Sequence, residues 1–141
     1  MGVDLHSPNH DVSMSYGAFN RMRTELAGII LGDEWRKHYA SLTDCFTTED
    51  YDAHDEVTNE LCKGLSKAET CFVDFLYMSD CDGLLGECSC EYIWTLMQLN
   101  REKWINDKTT YAYLAREPFT LADFCDMLAD GHDNGYGVQW M

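Results

Sequence analysis

Basic residues are scarce in this 141-residue sequence, which has 10 lysines and arginines against 25 aspartates and glutamates and a formal net charge of −15. Nucleic acids and anionic membranes repel such a chain, so the sequence predicts no direct nucleic acid binding and no membrane association. No apolar run approaches the roughly 20 residues of a membrane span, and residues 1–11 lack the basic and apolar regions of a signal peptide. The sequence therefore predicts a cytoplasmic protein.

Proline is also rare, with two residues, and no stretch rich in serine and glycine divides the chain. The hydrophobic fraction of 45% and the aromatic fraction of 13% are typical of a packed globule. A chain of this length has the usual size of one domain. We therefore expect a single domain over residues 1–141.

Several catalytic and cofactor motifs are missing. The sequence contains no G-x-S-x-G elbow, and its glycines match neither the dinucleotide fingerprint nor the Walker pattern. The seven cysteines include no paired C-x2-C knuckles, which leaves the cluster Cys81, Cys88 and Cys90 without the usual zinc spacing. We expect free thiols, no bound cofactor and a protein without enzymatic activity.

Apolar residues recur at helical spacing along most of the chain, which predicts a mainly α fold of about five to seven helices. A loop is predicted at residues 80–87 because it contains Gly83 and Gly86. The chain ends, residues 2–5 and 137–140, are short and β-permissive, and their pairing in a small two-stranded sheet would make the fold α+β. The predicted helices start at Ser15, Asp33, Thr47, Ser66, Ser89, Tyr111 and Thr120.

Negative charge is concentrated between His38 and Cys62, where seven acids occur without a lysine or arginine. In the helix predicted from Thr47, the stripe Ala53, Val57, Leu61 and Leu65 is expected to face the core, with the acids opposite. Such a face favours a basic protein surface as the partner, although an acidic helix is also compatible with ordinary solvation. The predicted partner-binding residues are Asp50, Asp52, Asp55, Glu56 and Glu60.

A second hypothesis is a divalent-metal-binding protein or a metal-dependent hydrolase. Residues 79–83 contain the D-x-D-G pattern of calcium loops, in which Asp80 and Asp82 would be ligands. The full loop pattern is incomplete because two ligand positions fall on Met78 and Ser89. His6 and His10 are further metal-ligand candidates, provided that the fold brings them to the aspartates.

Two other features have simpler interpretations. The polar residues Asp130, His132 and Asp133 are expected to form a solvated turn after the last helix. Trp35, Trp94 and Trp104 could line a small-molecule pocket, but aromatic core packing explains them more simply.

Two stretches resemble a loose group of short phage and bacterial proteins to which no function is assigned. One is residues 1–4 with the S-x-S-Y-G-x-F-N-R-x-R stretch at 13–23, and the other is residues 75–84. The second usually reads H-S-D-C-D-G in that group, and Met78 replaces the histidine here. The resemblance implies a phage-like setting in a host cytoplasm. Together with the acidic helix, it suggests an inhibitor of a host nucleic-acid-binding defence protein that acts by charge mimicry.

Overall fold

The structure, a computed structural model, describes residues 2–114 and 117–141 and is mainly helical with a small sheet. Met1, which opens the first stretch of the resemblance, lies outside these residues. The helices of the described part are α1 (Tyr16–Leu31), α2 (Asp33–Ala40), α3 (Thr48–Leu61), α4 (Lys67–Leu76), α5 (Glu87–Leu99) and α6 (Leu121–Asp133), with 3₁₀ turns at Ser41–Asp44 and Arg101–Lys103. The strands are β1 (Gly2–Ser7), β2 (His10–Ser15), β3 (Gly83–Leu85), β4 (Ala112–Leu114), β5 (Glu117–Phe119) and β6 (Val138–Trp140).

The main sheet has four antiparallel strands in the order β2-β1-β6-β3. The chain ends pair as predicted, because Leu5 of β1 lies opposite Trp140 of β6. The sheet is larger than predicted, since β2 continues one edge as a hairpin with β1 and β3 adds the other. Alternate side chains of β1 and β2 are buried, so one face of the sheet covers the helical core.

Two predictions about local structure were wrong, and one strand was not predicted. Residues 10–15 form β2, and their alternation of polar and apolar residues was a strand signal. The predicted loop at 80–87 contains β3, which is held by pairing with β6. The predicted helix at 111–114 contains β4, which pairs with β5, and Tyr111 N donates to Phe119 O at 2.9 Å. Only β3 depends on a partner distant in sequence, which local patterns do not reveal, whereas β2 and β4 pair with the strand next to them along the chain.

Helix starts were predicted well where a capping box was present. Thr47 with Asp50, Ser66 with Glu69, and Thr120 with Asp123 form the reciprocal bonds expected of that motif. The start at Ser89 was wrong, because α5 begins two residues earlier after Gly86. Helix α4 lies in the core as predicted and buries Phe72, Val73, Phe75 and Leu76.

Gly137, in the turn before β6, lies against the backbone of β3. Gly137 has a φ of +65°, and a Cβ atom there would lie 1.8 Å from Leu85 O. Only glycine fits this backbone position without displacing β3. The glycine therefore allows β6 to enter the sheet between β1 and β3.

In the described part, no helix is both long enough and apolar enough to cross a membrane.

Candidate functional site

Helix α3 carries the predicted acidic surface. At about 100° per residue, its outer acids lie within an arc of about 140° whose centre is about 170° from the buried His54. All of these acids are exposed, so they point into solvent. We call this set the acidic face: Glu49, Asp52, Asp55, Glu56 and Glu60.

The inner side of α3 differs from the prediction. Of the predicted stripe, Leu61 and Leu65 are half-buried, whereas Ala53 and Val57 are exposed, and His54 is the buried residue of α3. The helix is turned because His54 Nε2 shares a 2.9 Å hydrogen bond with Tyr77 Oη, directly after α4. Because this inward contact is polar, the hydrophobic pattern of the sequence does not indicate which side of α3 is buried.

One base pairs with the acidic face in the part of the chain that the structure describes. Lys63 Nζ lies 2.8 Å from Glu60 Oε1, three residues away on an exposed surface. Such surface pairs contribute little binding energy and exchange readily. The other four carboxylates therefore keep their charge available to a partner.

Asp50 lies outside the acidic face and has a local task. Its carboxylate accepts hydrogen bonds from the backbone N–H of Phe46 at 3.0 Å and of Thr47 at 3.1 Å. These bonds hold the pKa of Asp50 below its ordinary value. Asp50 was predicted to bind a partner, and the structure places it in the capping box that starts α3.

Apolar side chains border the acidic face. Phe46 is 84% exposed just before α3, and Val57 is 47% exposed beside the acids. A shallow pocket of about 310 Å³ is lined by Val57 together with Cys45 and Ala53. Exposed apolar groups within a charged surface are typical of protein interfaces.

The predicted metal ligands occupy several separate contacts. His6 Nδ1 lies 2.5 Å from Asp11 Oδ1 across the β1–β2 hairpin, and His10 Nδ1 lies 3.2 Å from Asp130 Oδ2. Asp80 forms an ion pair with Arg23, and Asp82 is exposed. Over residues 2–114 and 117–141, no three His, Cys, Asp or Glu side chains are grouped to hold a metal ion.

Asp130 is a buried polar centre that the sequence did not indicate. Its side chain is 5% exposed and accepts hydrogen bonds from Ser7 Oγ at 2.6 Å, Asn9 N at 2.7 Å and Asn9 Nδ2 at 2.7 Å. Asn134 Nδ2 adds a fourth at 2.7 Å. Burial alone would raise the pKa of Asp130, but these hydrogen bonds hold it well below its ordinary value. The expected solvated turn was wrong at this residue, because α6 presents Asp130 to the β1–β2 turn.

A second buried polar centre is Arg23 of α1, whose side chain is 2% exposed. Its guanidinium lies 4.4 Å from the Phe19 ring centroid and donates to Met78 O at 2.9 Å and to Asp80. It borders a cleft of about 510 Å³. We call this the tyrosine cleft after four of its lining residues, Tyr16, Tyr39, Tyr51 and Tyr77.

The tryptophans do not share this cleft. Trp35 and Trp104 are buried in the protein, as core packing predicts. Trp94 borders a separate pocket of about 250 Å³ with Glu91 and His132.

All seven cysteines carry free thiols in the described part.

Helices α2 and α3 meet at a pair of stacked histidines. The ring centroids of His38 and His54 are 3.9 Å apart, and His38 Nε2 shares a 2.7 Å hydrogen bond with Thr58 Oγ1. Burial lowers the pKa of both rings, His54 adds to this effect on His38, and Asp55 partly opposes it on His54. Both imidazole rings therefore favour the neutral, unprotonated form.

Acidification below about pH 6.5 is expected to weaken α3 packing, because the unfolded chain gains protons on His38 and His54 before the folded protein does. In urea unfolding from pH 7.5 to 5, the difference in free energy of unfolding between the wild type and the double variant His38→Gln, His54→Gln should therefore decrease as pH falls. His132, whose pKa is raised by its hydrogen bond with Asp133, contributes in the opposite direction in both proteins. An unchanged pH dependence in that variant would contradict this prediction.

The two stretches of the phage-protein resemblance meet at Arg23. Residues 13–23 supply Arg23 itself, and residues 75–84 supply the Phe75 and Met78 carbonyls and the Asp80 carboxylate. This contact holds α1 against the end of α4.

No protein-family model, curated protein or solved structure matches the chain.

Proposed function

We propose that this protein is a non-enzymatic binding module whose acidic face docks on a basic protein surface, such as the nucleic-acid site of a host defence protein. The observation that carries the proposal is the exposure of five α3 carboxylates on the side of the helix opposite its buried residues. Only Glu60 among them has a lysine partner in the described residues. The acidic face therefore presents charge that a basic partner can pair.

Charge density supports mimicry of nucleic acid. The net charge of −15 over an accessible surface of 7886 Å² averages about one charge per 500 Å². Duplex DNA, as a rod about 20 Å wide, carries roughly one charge per 100 Å². The acidic face spans roughly 200 Å² from the helix rise and radius, and its four carboxylates other than the Lys63-paired Glu60 give about one charge per 50 Å². Locally, its density matches or exceeds that of DNA.

The neighbouring surface supplies the rest of the interface. A stable interface needs about 800 Å² on each partner, so the acidic face alone accounts for about a quarter. Phe46 and Val57 provide apolar contact next to the acids. Apolar residues contribute affinity, and the acids contribute association rate and partner choice.

Charge reversal tests the proposal. Changing Asp52, Asp55, Glu56 and Glu60 to lysine should weaken partner binding by at least about 100-fold, because four attractive charge pairs become repulsive. The wild-type protein should retain a basic nucleic-acid-binding protein from a bacterial lysate, and duplex DNA should displace it. Quantitative mass spectrometry of the retained proteins is the measurement.

A variant of equal charge is the control. Changing the exposed acids Glu34, Asp74, Glu102 and Glu117 to lysine raises the net charge from −15 to −7 just as the α3 variant does, and should leave binding largely intact. Binding should also fall as salt rises from 0.1 to 1 M, where the screening length shortens from about 10 to about 3 Å. Equal loss in both variants, or binding insensitive to salt, would rule out a specific role for the acidic face.

A further inference from the structure

The tyrosine cleft has the size of a small-molecule site. Its volume of about 510 Å³ lies within the roughly 300–1,000 Å³ of known ligand pockets. Its walls come from α1, α2, α3 and the end of α4, so most of its lining is held by packed helices. Tyr51 of α3 lines the cleft and is half-exposed, about 40° around the helix from Asp55 of the acidic face.

The basic side chain at the cleft is Arg23, which is held by the protein itself. Arg23 Nη1 donates to the carbonyls of Phe75 and Met78, and Nη2 donates to Asp80. Arg23 Nε is buried and has no hydrogen-bond partner among the described residues. Because Nε has almost no accessible surface, a ligand in the cleft does not reach it, and Arg23 acts by holding the Asp80 carboxylate at the cleft.

Asp80 provides the complementary group. Its carboxylate is 49% exposed, and one oxygen accepts from Arg23. An ionised carboxylate has about four acceptor positions, so Asp80 can still accept hydroxyl donors from a ligand. The ion pair therefore offers acceptor positions to a ligand, and its own net charge is zero.

Charge and aromatic lining narrow the ligand class further. The net charge of −15 repels anions, and Arg23, the only cation among the described residues that line the cleft, is neutralised by Asp80. Burial raises the pKa of Tyr77 to about 12 and also raises the pKa of Tyr39, so both phenols stay neutral at pH 7. Aromatic walls favour the flat or C–H-rich face of a ring.

We propose that the tyrosine cleft binds an uncharged ring compound with neighbouring hydroxyl groups, which is the chemistry shared by nucleosides and sugars. Neighbouring hydroxyls donate to the free acceptor positions of Asp80, whose carboxylate Arg23 holds in place. The tyrosine rings pack against the ligand ring, and the Asn20 amide at the cleft wall adds a further hydrogen-bonding group. This site does not depend on binding at the acidic face.

Titration of the ¹⁵N-labelled protein, followed by amide chemical shifts, tests the site with four probes. Adenosine and methyl glucoside carry neighbouring hydroxyls, 2′,3′-dideoxyadenosine lacks them, and adenosine 5′-monophosphate adds negative charge. We expect saturable shifts at cleft residues with adenosine, with methyl glucoside, or with both, which distinguishes the nucleoside source from the sugar source. The dideoxy compound and the monophosphate should each bind at least about five-fold more weakly than adenosine if adenosine binds.

Two variants locate the binding. Tyr51→Leu and Asn20→Ala are expected to preserve the fold because both residues are partly exposed, and each should weaken binding about five-fold or more. Tyr51→Phe should keep most of the affinity, and Tyr92→Leu, on α5 away from the cleft, should keep all of it. Absence of binding by both hydroxyl-bearing probes would overturn the proposal. Equal binding of the dideoxy compound or the monophosphate, or unchanged affinity in Tyr51→Leu and Asn20→Ala, would overturn it as well.

Discussion

Replacing Asp130 with alanine is expected to lower the free energy of unfolding by about 2–3 kcal/mol. The carboxylate accepts four hydrogen bonds at 2.6–2.7 Å from Ser7, Asn9 and Asn134. Each bond to a charged group contributes roughly 1.5–3 kcal/mol, but Asn9 and Asn134 are exposed, so water can replace part of the loss. Urea unfolding measures the change, and the melting temperature should fall by about 4–12 °C.

The loss should begin at the β1–β2 turn. Hydrogen exchange at residues 7–10 should accelerate more than exchange in α4, because Asp130 connects that turn to α6. Asp133→Ala provides a matched control, since Asp133 lies three residues away with an exposed side chain and should change stability by less than about 0.5 kcal/mol. Equal effects of the two variants would contradict the assigned role of Asp130.

The lowered pKa of Asp130 also predicts a loss of stability in acid. The pKa of Asp130 is lowered in the folded protein relative to its ordinary value of 3.8, so its stabilising contribution is present above that pH. The contribution is lost as pH falls below about 3.8, because the unfolded chain takes up the proton first. The stability difference between wild type and Asp130→Ala should therefore shrink in acid.

Replacing Asp80 with asparagine is expected to cost about 2–3 kcal/mol. The change leaves the Arg23 guanidinium, whose side chain is 2% exposed, without its carboxylate. Breaking a buried ion pair by removing one partner costs about 3–5 kcal/mol, and the half-exposed position of Asp80 reduces this value. Asp82→Asn is the control, since Asp82 is exposed two residues away and should cost less than about 0.5 kcal/mol.

A double-mutant cycle separates the ion pair from general packing. Arg23→Met also removes the bonds to the Phe75 and Met78 carbonyls, so it should destabilise the protein by itself. The double variant Arg23→Met, Asp80→Asn should be more stable than the sum of the single losses predicts, by about 1–2 kcal/mol. Additive losses would mean that the two charges do not stabilise each other.

Helix α3 shows both the reach and the limit of sequence patterns. Its start was predicted correctly because Thr47 and Asp50 form a capping box from residues three positions apart. The prediction of its inner side was wrong because the orientation of the helix depends on the contact between His54 and Tyr77, which are 23 residues apart. The acids remained outside despite this rotation, since Asp52, Asp55 and Glu56 are far from either inner stripe.

The tyrosine cleft and Asp130 had no usable sequence signal. Arg23 and Asp80 are 57 residues apart, and Asp130 and Asn9 are 121 apart. Nothing in either local pattern distinguishes a buried charged residue from an exposed one. Only tertiary packing makes these partners adjacent.

The sequence by itself determined the acidity of the protein, its mainly helical character, the capped helix starts and the core position of α4, because these depend on composition and on neighbours within one helical turn. Tertiary structure alone decided the four-stranded sheet, the rotation of α3 and the polar contacts of Arg23 and Asp130. These features require contacts between distant residues, whose formation depends on the packing of the whole chain.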